Sequence, residues 1–125
     1  MKLRKEKIIV TIGAFDPLDI SDIEFFKKLK IRGDWLIVGV HSDIYLAEYE
    51  KGFIQNYNTR SEIVRQLKCV DEVFMYNDTD GTACQLLKIV QICYPNSDIF
   101  FVSKSGDKET SPEGKMKGIK FLSMK

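Results

Sequence analysis

Lys7–Gly13 reads KIIVTIG, Ile20–Ile31 reads ISDIEFFKKLKI and Trp35–Val40 reads WLIVGV. The two outer segments are short, β-branched and almost wholly apolar, the mark of strands covered on both faces. Between them Ile20, Ile23, Phe26 and Leu29 recur at steps of three and Phe25 widens the stripe, which predicts an amphipathic helix stopped by Arg32-Gly33-Asp34. A helix joining two such strands is a βαβ unit, so the strands are expected to be parallel with a right-handed crossover.

The alternation continues along the chain. His41–Tyr57 has no steady period and reads as a polar loop containing Lys51-Gly52, while Thr59-Arg60-Ser61-Glu62 has the residues of a capped helix start running to about Leu67. Val70–Tyr76 predicts a third strand and Asn77–Gly81 (NDTDG) a turn. Leu86, Leu87, Ile89, Val90 and Cys93 predict a helix that ends before Pro95. Asp98–Val102 and Gly118–Leu122 read as the last two strands, separated by a polar loop from Ser103 to Gly114. The expectation is one α/β domain over residues 1–125, an open parallel five-stranded sheet with helices on both faces. Such a sheet places its binding groups in loops at the carboxyl ends of strands, here the loops that begin at Gly13, His41 and Ser103.

A chain of 125 residues, 44% apolar and 30% charged, fits one folded domain of ordinary composition. Nineteen basic and eighteen acidic residues leave a net charge of +1, so no strong field draws the protein to phosphate backbones or anionic lipid. Nucleic acid is not an expected partner. No apolar run approaches the ~20 residues of a membrane span, and the charged lead Met1–Lys7 is unlike a secretory signal, so a soluble cytoplasmic protein is expected. Cys69, Cys84 and Cys93 form no C-x-x-C pair, which argues against a disulfide framework or a zinc knuckle. His41 is the one histidine, which excludes chemistry that needs two within this chain.

Gly13-Ala14-Phe15-Asp16-Pro17-Leu18 leads into the helix that opens near Asp19. The amides of that first turn are expected to face the cleft, and a helix start is a ready site for anions. The pattern alone is weak, since many α/β proteins that bind no phosphate share it.

Five segments now stand in order: TIGAFDPL at Thr11–Leu18, GDWLIVGV at Gly33–Val40, Ser42-Asp43, RSEIV at Arg60–Val64 and VDEV at Val70–Val73. Together they resemble the cytidylyltransferase-like nucleotidyltransferases, especially the small glycerol-3-phosphate cytidylyltransferase type, over the chain up to about residue 107. Gly106-Asp107-Lys108, followed by Ser111-Pro112-Glu113, is similar to a glycine-aspartate-arginine stretch in some members. The resemblance implies a reaction in which a phosphorylated small molecule attacks the α-phosphate of CTP or ATP and releases pyrophosphate, assisted by Mg²⁺. It implies nucleotide contacts at Gly13, Ala14, Phe15, Arg60, Gly106 and Asp107, acceptor contacts at His41 and Asp43, a substrate-loop lysine at Lys51, and a homodimer.

The chain departs from this family at its chemical centre. The family's H-x-G-H tetrad, whose histidines donate to phosphates as charge builds, reads Asp19-Ile20-Ser21-Asp22 here. Two carboxylates facing phosphate at ~4 Å would cost about 4 kcal/mol for each like-charge contact at an effective dielectric of 20. The basic residue and Ser/Thr-rich turn expected beyond the last strand are also not found before Lys125, although Lys104 and Lys108 are available to supply positive charge.

Asp19 and Asp22 therefore carry two readings: a cap and a dipole partner for the helix start, or a divalent-cation site bridging to nucleotide phosphates. His41 is either loop surface or a phosphate donor and proton shuttle. Arg60 and Lys51 bind phosphate or merely end a helix and line a solvated loop. Phe15, Trp35, Phe100 and Phe101 are expected in the core rather than under a base. The leading function is a degenerate cytidylyltransferase-like protein that keeps nucleotide or phosphometabolite binding with transfer lost or very weak. The alternatives are an active metal-dependent transferase acting on a phosphorylated acceptor such as glycerol 3-phosphate, and a non-catalytic interaction module.

Overall fold

The βαβ unit forms as its sequence predicts, with β1 at Lys7–Gly13, α1 at Ile20–Ile31 and β2 at Trp35–Val40. The computed structural model describes residues 6–104 and 111–122. β1 and β2 run parallel, Val10 opposite Ile37 and Gly13 opposite Val40. There follow α2 (Asp43–Tyr49), α3 (Tyr57–Arg65), β3 (Glu72–Phe74), α4 (Cys84–Cys93), β4 (Asp98–Phe101), one turn of 3₁₀ helix (Glu113–Lys115) and β5 (Ile119–Phe121). All five strands are parallel in the order β3-β2-β1-β4-β5. The chain works outward from β1 to β3, then returns to the other side of β1. That reversal opens a crevice beyond the carboxyl ends of β1 and β4, where ligands of open α/β sheets bind.

Alternate residues of the central strands feed two cores. Ile8 and Val10 join Ile37, Leu86, Leu87, Val90 and Phe101 on the α4 face. Ile9 joins Phe26, Leu29, Leu36, Val38 and Val64 on the face of α1 and α3. Gly39 admits α4 and Tyr76 close to the sheet, since a Cβ there would stand 2.5 Å from Leu86 Cδ2 and 2.8 Å from the Tyr76 ring.

The structure corrects the sequence reading in four places. The expected loop from His41 contains α2, which Ser42 caps by accepting from the Tyr45 amide and which buries Leu46. Two helical turns anchored by one leucine are too short to show a period. α3 opens at Tyr57, two residues before Thr59, capped by Asn56, and ends at Arg65. β3 is three residues instead of seven, because it pairs on one side only and Val70 is drawn into a turn with Leu67. Ile20, expected on the buried stripe, is 67% exposed, for the first turn of α1 lies off the core while Phe26 and Leu29 carry the packing.

Candidate functional site

The loop after β1 is shaped by Gly13 and Phe15. A Cβ on Gly13 would lie 2.6 Å from the tip of the Phe15 ring, so only glycine lets that ring fold back over the strand end. Phe15 adopts a left-handed backbone (φ 53°) and packs edge-on against Phe26 with centroids 5.2 Å apart. Its ring thus belongs to the core beneath the loop, as the sequence reading expected. Asp16 accepts from the amides of Ile54 and Gln55, each at 2.7 Å. Desolvation pulls its carboxyl upward, yet these two bonds and the field of Arg60 hold it below the usual carboxylate range. The segment before α3 is thereby latched onto the loop after β1.

Arg60 is completely buried. Its Nε donates to the carbonyl of Gln55 at 2.7 Å, its Nη1 to the carbonyls of Ala14 at 3.0 Å and His41 at 2.8 Å, and its Nη2 to Asp43 Oδ1 at 2.7 Å. A buried charge persists only when paired and hydrogen-bonded, and the planar guanidinium fork suits several partners at once. The arginine and aspartate expected at ligand are therefore bonded to each other, as a strut joining the loops after β1 and β2 to the start of α3. The Asp43 side chain remains 35% exposed to solvent.

At the start of α1 the two aspartates close on themselves. Asp19 Oδ1 accepts from Ser21 Oγ at 2.6 Å and from the Asp22 amide at 3.1 Å, and Asp22 Oδ2 accepts from the Asp19 amide at 3.0 Å. This is a reciprocal capping box. The Ser21 hydroxyl and Asp22 amide hold the Asp19 carboxyl below its usual range. Lys104, from the loop after β4, donates to Ser21 Oγ at 2.6 Å and Asp22 Oδ1 at 3.1 Å, which places its expected positive charge on the aspartate pair. Three of the four carboxylate oxygens are so engaged, and among the described residues no group of three or more metal-type ligands comes together. The donor set does not fit a resident Mg²⁺.

His41 extends beyond β2 and donates its amide to the Gly13 carbonyl at 3.0 Å. Its Nδ1 lies 3.4 Å from Asp78 Oδ2 and 3.4 Å from the Tyr76 hydroxyl, and its ring stacks on Tyr45 at 3.9 Å. Asp78 is itself fixed by the Ser42 amide at 2.8 Å and hydroxyl at 2.6 Å. Burial lowers the His41 pKa below its ordinary value, opposed by Asp78 and Glu50. Burial likewise pushes the Tyr76 phenol far above its usual range.

The structure thus bonds Gly13, Ala14, His41, Asp43 and Arg60 into one cluster past the ends of β1 and β2, seats Phe15 beneath it, and holds Asp19 and Asp22 in a second cluster with Lys104. Lys51 stands on an exposed turn with a left-handed backbone (φ 66°) and joins none of these contacts. Gly106, Asp107 and Lys108 lie outside the described residues. Sequence reasoning missed Asp16, Tyr76, Asp78 and Glu113. Asp78 sits inside a turn-rich run whose composition hides a buried carboxylate, although its place just past a predicted strand end was a usable signal. Glu113 is buried and accepts from the Ala83 amide at 2.8 Å, tying the 3₁₀ turn to the start of α4. A cavity lined by Tyr94, Asp98, Ile99 and Lys120 lies at the opposite, amino end of the sheet.

Comparison with known proteins agrees with this architecture. A model of the family described as cytidylyltransferase-like matches residues 10–112. The bifunctional protein HldE of Helicobacter pylori is 36% identical over 89 residues, which cover 69% of this chain and 19% of that protein. The bifunctional protein HldE of Geobacter metallireducens is 32% identical over 79 residues, 62% of this chain and 16% of that one. The chain therefore spans about a fifth or less of the length of these relatives. The crystal structure of the lipopolysaccharide core biosynthesis protein from Thermoplasma volcanium superposes with a TM-score of 0.71, covering 94% of this chain and 97% of that one at 23% identity. That likeness is one of fold.

Proposed function

Because this chain belongs to the cytidylyltransferase-like family, we propose that it is a degenerate member that keeps nucleotide or phosphometabolite binding in the strand-end crevice while transferring nucleotidyl groups very weakly or not at all. One observation carries this reading. The pole where a family member donates to phosphate is here filled by the chain's own carboxylates, with the Asp22 amide already given to Asp19 and the Asp19 amide to Asp22. A phosphate arriving at that helix start meets two carboxylates against the single Lys104 cation, with the Asp22 amide already engaged, so the developing charge of transfer finds little preorganised stabilisation there. The loops after β1 and β2 that border the strand ends stay tied together, by Asp16 to the segment before α3 and by Arg60 to Ala14, His41 and Asp43.

The reading extends to a CTP or ATP ligand, a small phosphorylated acceptor and a cytoplasmic homodimer. It is tested by calorimetric titration with CTP and with ATP, each with and without Mg²⁺, followed by assay of the same samples for pyrophosphate after glycerol 3-phosphate is added. Binding without pyrophosphate release is the expected result. Metal-dependent binding with turnover would replace it by the active-transferase reading, and no binding up to millimolar nucleotide would leave an interaction module.

A further inference from the structure

We propose that His41 takes up a proton when an anionic phosphoryl ligand enters the crevice, and that Asp78 and Tyr76 are positioning residues that hold its ring for this event. The inference rests on the reading that the crevice still admits a nucleotide or phosphorylated metabolite.

The ring is fixed on two sides. Tyr45 lies parallel to it, 7° off and 3.9 Å away, and Tyr49 packs against Tyr45 at 4.7 Å with its ring tilted by 36°. At its edge, Nδ1 faces Asp78 and the Tyr76 hydroxyl, both at 3.4 Å. Asp78 cannot turn away: only 1% exposed, it receives both the amide and the hydroxyl of Ser42. A carboxylate accepts and does not donate, so the neutral ring carries its proton on Nδ1 and leaves the lone pair on Nε2. The side chain retains 11% exposure, and no described group bonds to Nε2. The histidine stands where the β2 strand end meets the crevice, one residue past Val40, which pairs with Gly13.

The charges around the ring leave it poised. Burial, helped by Arg60 from α3, opposes the imidazolium and outweighs Asp78 from the loop after β3 and Glu50 from the end of α2, which favour it. Tyr45 and Tyr76 are neutral neighbours whose own ionisation is disfavoured by burial. A phosphoryl dianion near Nε2 adds to the favouring side and draws one proton from the buffer onto that nitrogen, which then donates to the ligand. No bond to phosphorus forms or breaks in this step.

A chain with one histidine permits a direct test, since ¹⁵N-imidazole labelling gives a single pair of ring nitrogens. Without ligand, the expected spectrum at pH 7 is that of a neutral ring protonated at Nδ1. CTP or glycerol 3-phosphate at saturation is expected to raise the His41 pKa by about one unit, a tenfold gain in proton affinity. Calorimetry in buffers of different ionisation enthalpy should then register net proton uptake near neutral pH, absent in His41→Gln. Asp78→Asn, which keeps an oxygen for Ser42, should lower the pKa and cut the uptake with the amide spectrum otherwise native. Tyr76→Phe should do so to a lesser extent. A resting ring protonated at Nε2, or ligand binding that leaves both ring nitrogens and the proton count unmoved, overturns the inference alone. No binding of either probe at millimolar concentration overturns the binding reading and this inference together.

Discussion

The two sides of the crevice are built from similar residues in opposite ways. At the start of α1, Asp19, Ser21 and Asp22 are mostly exposed and bond to one another across two or three positions of sequence. Around Arg60 the bonds are buried and join residues 17, 19 and 46 positions apart. A local pair stabilises chiefly its own helix turn, and its tie to the loop after β4 runs through the exposed Lys104. A long-range hub determines where several loops lie, so its loss reshapes the crevice. The hub around Arg60 and the start of α1 are therefore separable, the first held by long-range buried bonds and the second mainly by local ones.

The comparison is broken most severely if the hub can be removed cheaply. Arg60→Met is expected to destabilise by about 3–5 kcal/mol, because it leaves Asp43 and three carbonyls without their buried donor. Urea unfolding checks this, and Arg60→Lys should recover little, since an ammonium cannot reproduce the planar fork. A wild-type urea midpoint for Arg60→Met would dissolve the distinction.

Gly13→Ala is the next largest effect, about 1–3 kcal/mol, because the new methyl displaces the Phe15 ring from its seat. Its crevice should also be remodelled, visible as shifted amide resonances in residues 13–18 and 53–56. Asp19→Ala is expected to cost only a small fall in Tm, confined to the first turn of α1, and Asp19→Asn should restore it because asparagine caps as well.

The smallest effect sharpens the comparison through pH. The folded pKa of His41 is depressed, so between that pKa and the ordinary value of about 6.5 the unfolded chain binds more protons and stability rises with pH. Its contribution is complete above about pH 6.5 and is lost as the solution is acidified through that window. His41→Gln should flatten the dependence of Tm on pH there.

Much of the frame is legible in the sequence because it is written in local patterns. Lys7–Gly13 and Trp35–Val40 announce doubly covered strands, and both appear with the expected ends. α2 was hidden because seven residues with one buried leucine give no period to detect. Asp19 as a helix cap was legible for the same local reason that made the strands so. The burial of Arg60 and Asp78 was not, since their partners are distant in sequence and a charged side chain carries no mark of whether it will be enclosed. Phosphate recognition by Arg60 was the natural expectation from a resemblance, and its inward fork emerges only once three loops converge.

The most direct test of the separation is the affinity for CTP of the double variant Asp19→Asn, Asp22→Asn, measured without Mg²⁺ against the unaltered chain. Asparagine keeps the caps and removes both negative charges while Lys104 stays beside them, so the account predicts near-native stability and tighter binding, as a net negative pole becomes positive. Unchanged affinity would show that the α1 pole does not face the ligand. Binding that is strong with Mg²⁺ in the unaltered chain and lost in the variant would contradict the account and make the aspartates holders of a metal.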